Sequence, residues 1–325
     1  MRFAQIEPGG DLPPIAVHRS GRRDRSPARR RAGDRRIVIT AHLIVGRKLE
    51  PYLEAALASI ADACAHAVVN DNSGASDGPN SRVLSTSRFA VEDRLTIVRS
   101  AFTDFAAARN LCIDATPAAL HAGWALRLDS DEVFDDGIGS LVARLPTVPR
   151  DIDVIDGYST HFVGSFDYFD SVARQLLLFR LDRNLRWTLP VHERLEPVRR
   201  RAALPIMLHH YGHVVPARVE QARGELYTSL GQRVEGGRDF RRHATAREMW
   251  GRLLRRAIRF RGTHPLAVRP VIARLSAEWA DDFAQVDDVV AGLSPIRQLG
   301  NALRNWNYRR LLVTRGIEAR IRWGM

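Results

Sequence analysis

The chain of 325 residues has only two cysteines, Cys64 and Cys112, and a single lysine, Lys48; aromatic side chains fill 7% of positions. Two cysteines exclude a disulfide-rich scaffold and a four-cysteine zinc site. No run of about 18 or more apolar residues occurs, so no segment reads as a membrane-spanning helix. No signal-type apolar stretch follows Met1, and the expectation is a soluble, cytoplasmic protein. No Gly-x-Gly-x-x-Gly follows the first predicted strand, and Gly-x-x-x-x-Gly-Lys-Ser/Thr is absent throughout. Those absences argue against a dinucleotide oxidoreductase and a P-loop ATPase.

What is present is arginine and an ordinary apolar share. The chain is 45% hydrophobic and 26% charged, enough for a sizeable core, with a formal net charge of +12. Residues 1–35 read as a disordered basic arm. Arginines crowd the stretch from Arg19 to Arg36, opposed only by Asp24 and Asp34, with Gly21, Pro27 and Gly33 between them. Such an arm suits nucleic acid or anionic headgroups, or is simply a solvated leader. Arg247 to Arg261 is a second basic zone, in which Trp250, Leu253, Leu254, Ile258 and Phe260 share a helical face. It reads equally as a helix in a membrane interface and as a helix on a core.

Strand and helix patterns alternate through the first half. Arg36–Ala41, Ala67–Val69, Leu95–Val98 and Trp124–Leu128 have the apolar runs of buried strands. Leu49–Ala63 and Phe105–Ala115 have helical spacing, the latter stopped by Pro117. Asp153–Phe162 and Arg174–Arg180 predict longer strands, and 187–196 an irregular polar-aromatic segment. Beyond Pro216 the pattern is helical almost to the end. The spacing predicts a parallel sheet flanked by helices over 36–215 and a helical region over 216–325.

In such sheets ligands bind outside the carboxyl ends of the strands. Asp71 ends the second strand, and Asp129-Ser-Asp131 ends the fourth. Carboxylates at i and i+2 on extended chain point to one side. Together with substrate phosphates they suit one hard cation, Mg²⁺ above all.

Several segments, in order, resemble family 2 glycosyltransferases with the GT-A fold. They are Ile37-Val-Ile-Thr-Ala41 with its following helix, Val68-Val-Asn-Asp-Asn-Ser-Gly-Ala-Ser-Asp77, Phe105-Ala-Ala-Ala-Arg-Asn110, Leu126-Arg-Leu-Asp-Ser-Asp-Glu132, and Arg180–Leu195 with Trp187 and Val191-His-Glu193. The last is similar to bacterial members that build cell-wall or lipopolysaccharide glycans. The resemblance implies a Rossmann-like, mostly parallel sheet. It implies transfer of a sugar from a nucleoside-diphosphate sugar to a hydroxyl acceptor, by inversion, aided by Mg²⁺ or Mn²⁺. It places Asp71 at the nucleobase, Asp129 near the ribose or sugar, and Asp131 on the metal. Arg109 either contacts the donor or locks the site by pairing with an acid. Glu193 becomes the base for the acceptor hydroxyl, and His192 a further metal ligand or acceptor contact. His210 and His213, in the cluster Leu208-His-His-Tyr-Gly-His213, become secondary metal or diphosphate candidates. With the basic segments, peripheral attachment to the inner membrane face follows as an expectation. Departures occur too: His42-Leu43 stands where Tyr/Phe-Asn is common, and Asn70-Asp71 where Asp-Asp is.

Three other readings compete. Gly74-Ala-Ser-Asp-Gly78 has the form of a hydrolase nucleophile elbow but lacks a helix directly after the serine. A sugar-1-phosphate nucleotidyltransferase shares the architecture but normally opens on a Gly-rich, basic loop; Ala41–Arg47 has one glycine. A nucleic-acid binder explains the arm, though not acidic strand ends, which repel phosphates unless a cation is present.

Overall fold

The computed structural model describes residues 37–136, 138–229 and 245–314; the basic arm at 1–35 lies outside them. In chain order the elements of the first half are β1 (Ile39–Val45), α1 (Leu53–Ile60), β2 (His66–Asp71), α2 (Ser81–Thr86), α3 (Arg88–Val91), β3 (Leu95–Arg99), α4 (Phe105–Asp114), β4 (Trp124–Arg127), β5 (Glu132–Phe134) and α5 (Gly139–Arg144). There follow β6 (Val154–Val163), β7 (Ser165–Arg180), β8 (Arg186–Thr188), β9 (Arg194–Glu196) and β10 (Arg201–His213). The last part holds α6 (Ala217–Ser229), α7 (Ala246–Leu253), β11 (Ile258–Arg259), α8 (Arg269–Glu278), α9 (Ala280–Ala291) and α10 (Pro295–Thr314).

Eight strands form a sheet in the order β3-β2-β1-β4-β7-β6-β10-β5, with β11 added on β7. The first four strands are mutually parallel, as the strand–helix alternation predicts. Antiparallel pairing enters at β7, which lies against β4 on one side and β6 on the other. The cause is local: β6 returns directly into β7 at Gly164, whose φ of +76° suits glycine, and a direct reversal makes an antiparallel pair. A parallel pair reappears between β6 and β10.

β1 lies between β2 and β4 and is buried on both faces, hence its continuous apolar run. Ile39, Ala41, Leu43 and Val45 face α1, packing with Leu53, Ala56, Leu57 and Ile60. On the opposite face α4 brings Ala106 and Ile113 against Ala125, Val154, Phe179 and Trp187. The two-faced cover fixes which strand ends stay open for a ligand.

Several expectations shift. β7 runs for 16 residues, not seven, because Phe166, Phe169 and Val172 continue its apolar face. The 13-residue β10 was hidden by Pro205 and by the His-His-Tyr-Gly-His tract; Pro205 sits in a register shift between Ala203 and Met207, where a proline is tolerated. The irregular 187–196 segment contains the β8–β9 hairpin. The basic zone at 247–261 is not one surface helix: α7 ends at Leu253, Ile258 joins β11, and Met249, Trp250, Leu254 and Ile258 are buried. The described residues of the C-terminal region are otherwise mostly helical, and α8 and α9 close over the aromatic face of β6 and β7. Among the described residues no helix is long and apolar enough to cross a membrane.

Candidate functional site

Asp71 stands at the end of β2 and Asp129 and Asp131 just past the end of β4, the two strands that flank β1. Asp71 is buried, and its Oδ1 accepts from the Ser73 amide at 2.9 Å, closing the turn after β2. Asn72 beside it donates to Asn70 Oδ1 and Ser100 Oγ, so the strand end is rigidly bonded. Asn70 in turn donates to the Ala108 carbonyl of α4 at 2.9 Å.

The turn after β4 is closed by Glu132, a residue quoted within the motif but given no role. Glu132 Oε2 accepts from the Asp129 amide at 2.9 Å, and the Glu132 amide donates to the Asp129 carbonyl at 3.1 Å. Arg127 Nη2 donates to both Glu132 oxygens, and Gln175 Nε2 to Oε1. A buried carboxylate thus has partners from two strands, which holds Asp129 and Asp131 in place. Sequence pattern carried no signal for Gln175, because it reaches the site from β7, 43 residues further on.

Arg109 of α4 is the hinge of the constellation. Its side chain is 5% exposed, its Nη2 donates to Asp129 Oδ1 at 2.6 Å, and its Nε donates to Glu193 Oε1 at 2.5 Å. The guanidinium also lies 5.3 Å from the Trp187 ring centroid. Of the two roles open to Arg109, the structure displays the pairing with acids. Burial opposes its charge, but Asp129 and Glu193 outweigh burial and raise its pKa further. Asp129 also accepts from Arg127 Nη1 at 2.7 Å, so both its oxygens meet guanidinium groups. Burial would raise the Asp129 carboxyl; Arg109 and Arg127 pull it well below the usual carboxylate range.

Asp131 is placed differently. Its Oδ1 lies 3.4 Å from His210 Nε2, and its carbonyl accepts from the Tyr211 amide at 2.8 Å. Burial raises its carboxyl, and His210 more than offsets that. The same pairing, against burial, raises His210 above an ordinary histidine. A Cβ built on Gly212 would fall 2.5 Å from Asp131 Oδ2 and 2.7 Å from His210 Nε2. The two side chains therefore converge over a glycine that leaves them room. His210 Nδ1 lies 3.1 Å from His161 Nδ1, and burial holds His161 well below its ordinary range.

His213 lies beside this pair, its ring centroid 5.9 Å from that of His210, but its Nδ1 is engaged with Glu220 of α6 at 2.9 Å. His192 is exposed at φ +56°, and among the described residues nothing hydrogen-bonds its ring. The hairpin loop carrying it is held by α4: Asn110 exchanges two bonds with the Trp187 backbone, at 2.9 and 3.0 Å, and the Phe105 amide donates to the Pro190 carbonyl at 3.2 Å. Consecutive residues Arg109 and Asn110 thus hold Glu193 itself and the hairpin strand that precedes it.

Among the described residues no group of three or more His, Cys, Asp or Glu is arranged to hold a metal. A hard cation bound chiefly by substrate phosphates needs only one or two protein carboxylates. Asp131, open over Gly212 with His210 beside it, meets that requirement. Asp129, with both oxygens given to arginine, fits a shared ligand role less well.

No protein-family model and no curated protein matches the chain. Solved structures do. S. aureus TarS is 12% identical with a TM-score of 0.39, covering 78% of this chain and 90% of its own. A mannosyltransferase from Pyrobaculum calidifontis, solved with GDP-Man and Mn²⁺, is 14% identical with a TM-score of 0.37 over 87% and 84%. A protein assigned as a glucose-1-phosphate thymidylyltransferase, from Bacillus anthracis, is 11% identical with a TM-score of 0.36 over 63% and 99%. The likeness spans both transferase chemistries weighed from the sequence, and it does not decide between them.

Proposed function

We propose that the protein is a metal-assisted glycosyltransferase, which moves a sugar from a nucleoside-diphosphate sugar to a hydroxyl acceptor. The observation that carries this reading is the Asp131–His210 pair, open over Gly212 and set beside the Arg109-bridged acids Asp129 and Glu193. Asp131, assisted by His210, would hold Mg²⁺ or Mn²⁺ against the donor diphosphate. The bound cation supplies Lewis-acid stabilisation of the departing nucleoside diphosphate. Asp71, at the end of β2, would accept from the base of the donor.

Arg109 Nε fixes Glu193 Oε1 and leaves Oε2 to accept the proton of the acceptor hydroxyl. In the transfer the acceptor oxygen bonds to the anomeric carbon, and the bond from that carbon to the diphosphate oxygen breaks. The proton ends on Glu193 and the electron pair on the diphosphate. A single displacement of this kind inverts the anomeric centre. Arg109 holds Asp129 and Glu193 on one rigid group, which keeps the base and the donor side in fixed relation.

The test is thermal stabilisation of the protein by UDP, GDP, dTDP, CMP and ADP, each with and without Mn²⁺. One nucleoside diphosphate is expected to raise Tm by several degrees only when Mn²⁺ is present. D131N should remove that metal-dependent shift. E193Q should keep it while lowering turnover by about 10²-fold or more. A shift indifferent to Mn²⁺, or one that survives D131N, would refute the assignment of Asp131.

A further inference from the structure

Large apolar side chains exposed singly are ordinary, but α10 exposes a row of them. Ile296 is 83% exposed, Leu299 62%, Leu303 60% and Trp306 60%. At 3.6 residues per turn these four positions fall within about a quarter of the helix circumference. The inner side of the same helix is marked by Asn301, which is buried and donates from Nδ2 to the Ala257 carbonyl at 2.9 Å. The row therefore points away from the body of the protein.

Charge selects the occupant. The 20-residue sequence of α10 contains four arginines, at 297, 304, 309 and 310, and no aspartate or glutamate. Arg297 is exposed; Arg304 is half-exposed and donates from Nη2 to Asn301 Oδ1 at 2.9 Å; both positions fall on one side of the helix, between the apolar row and Asn301. A second copy of the chain would bring arginine against arginine. An anionic lipid surface offers phosphate to the arginines and acyl chains to the leucines, which is the composition expected of an interfacial helix. The overall charge of +12 favours the same encounter. We infer that α10 lays its outer face on an anionic membrane surface. Membrane contact is thereby assigned to α10 and not to the 247–261 zone, whose apolar residues are used inside the fold. This inference is independent of the transfer reaction proposed above.

The test uses the full chain and two kinds of vesicle, phosphatidylcholine alone and an equal mixture with phosphatidylglycerol. The protein is expected to co-sediment with the mixed vesicles and not with the neutral ones. I296S/L299S/L303S should lower that partition by about tenfold or more while leaving Tm unchanged, because the three side chains are exposed. Equal binding to both vesicles, or mixed-vesicle binding untouched by the triple variant, would overturn the inference. So would a lower Tm of the triple variant, which would mean that the chain itself covers the row. A dimer that the variant dissociates, or binding to poly-glutamate but to neither vesicle, would likewise assign the face to a protein.

Discussion

At the scale of the residue, Arg109 decides most. Its guanidinium is buried and neutralised by two acids from distant parts of the chain, Asp129 and Glu193. Removing one member of a buried pair leaves uncompensated charge, at a cost of about 3–5 kcal/mol when burial is complete. Asp129 is partly exposed and keeps Arg127, so R109Q should cost about 3 kcal/mol, read by urea unfolding. R109Q/E193Q should recover part of that loss, because the orphaned Glu193 charge goes with it; strict additivity would show that the pair does not interact. Arg109, Asp129 and Asp131 were legible from the order of short motifs around them. The partners were not. Glu132 and Gln175 act through geometry that joins separate strands, and a one-dimensional pattern holds no record of which strands will lie side by side.

At the scale of the element, the parallel half of the sheet was readable because each strand and helix there carries its own periodicity. β10 was not, since a proline and a histidine tract interrupt its apolar pattern, and neighbours β6 and β5 bury it regardless. Two glycines in the second half show how tightly these strands are used. At Gly212 in β10 an added methyl would press on Asp131 and His210, so G212A should abolish the Mn²⁺-dependent nucleotide shift with little loss of fold. At Gly157 in β6 a methyl would run into Leu177 Cδ1 and lie 3.0 Å from the Ile206 carbonyl. G157A should therefore lower stability by about 1–3 kcal/mol, as overpacked cores do, and leave nucleotide selectivity intact. Exchange of these two outcomes would show that the glycines have been given the wrong roles.

At the scale of the whole molecule, buried histidines set the response to acid. Burial pushes His42 and His209 down to about 3, and His264 down to about 4. Below pH 6.5 the unfolded chain takes up protons at these positions while the folded chain does not. Stability therefore falls as pH drops from 6.5 towards 4, by ~1.4 kcal/mol per pH unit for each such group. His210 runs the other way: its raised pKa adds stability below pH 6.5 that is lost as pH rises through the raised value. Five histidines, these three with His66 and His161, stand against one and give net acid lability, measurable as urea unfolding at pH 7.5 and 5.5; H209N should shrink the loss of stability between those two pH values by ~1.4 kcal/mol in total. An unchanged slope in H209N would mean that this ring titrates normally. The 16-residue β7 imposes a different order on the molecule, in time. It bonds β4 near its end, β6 along most of its length and β11 near its start, so parallel half, antiparallel half and C-terminal segment all share its amides. None of these parts can open without breaking bonds to β7, and its central amides should be the last in the protein to exchange with deuterated water.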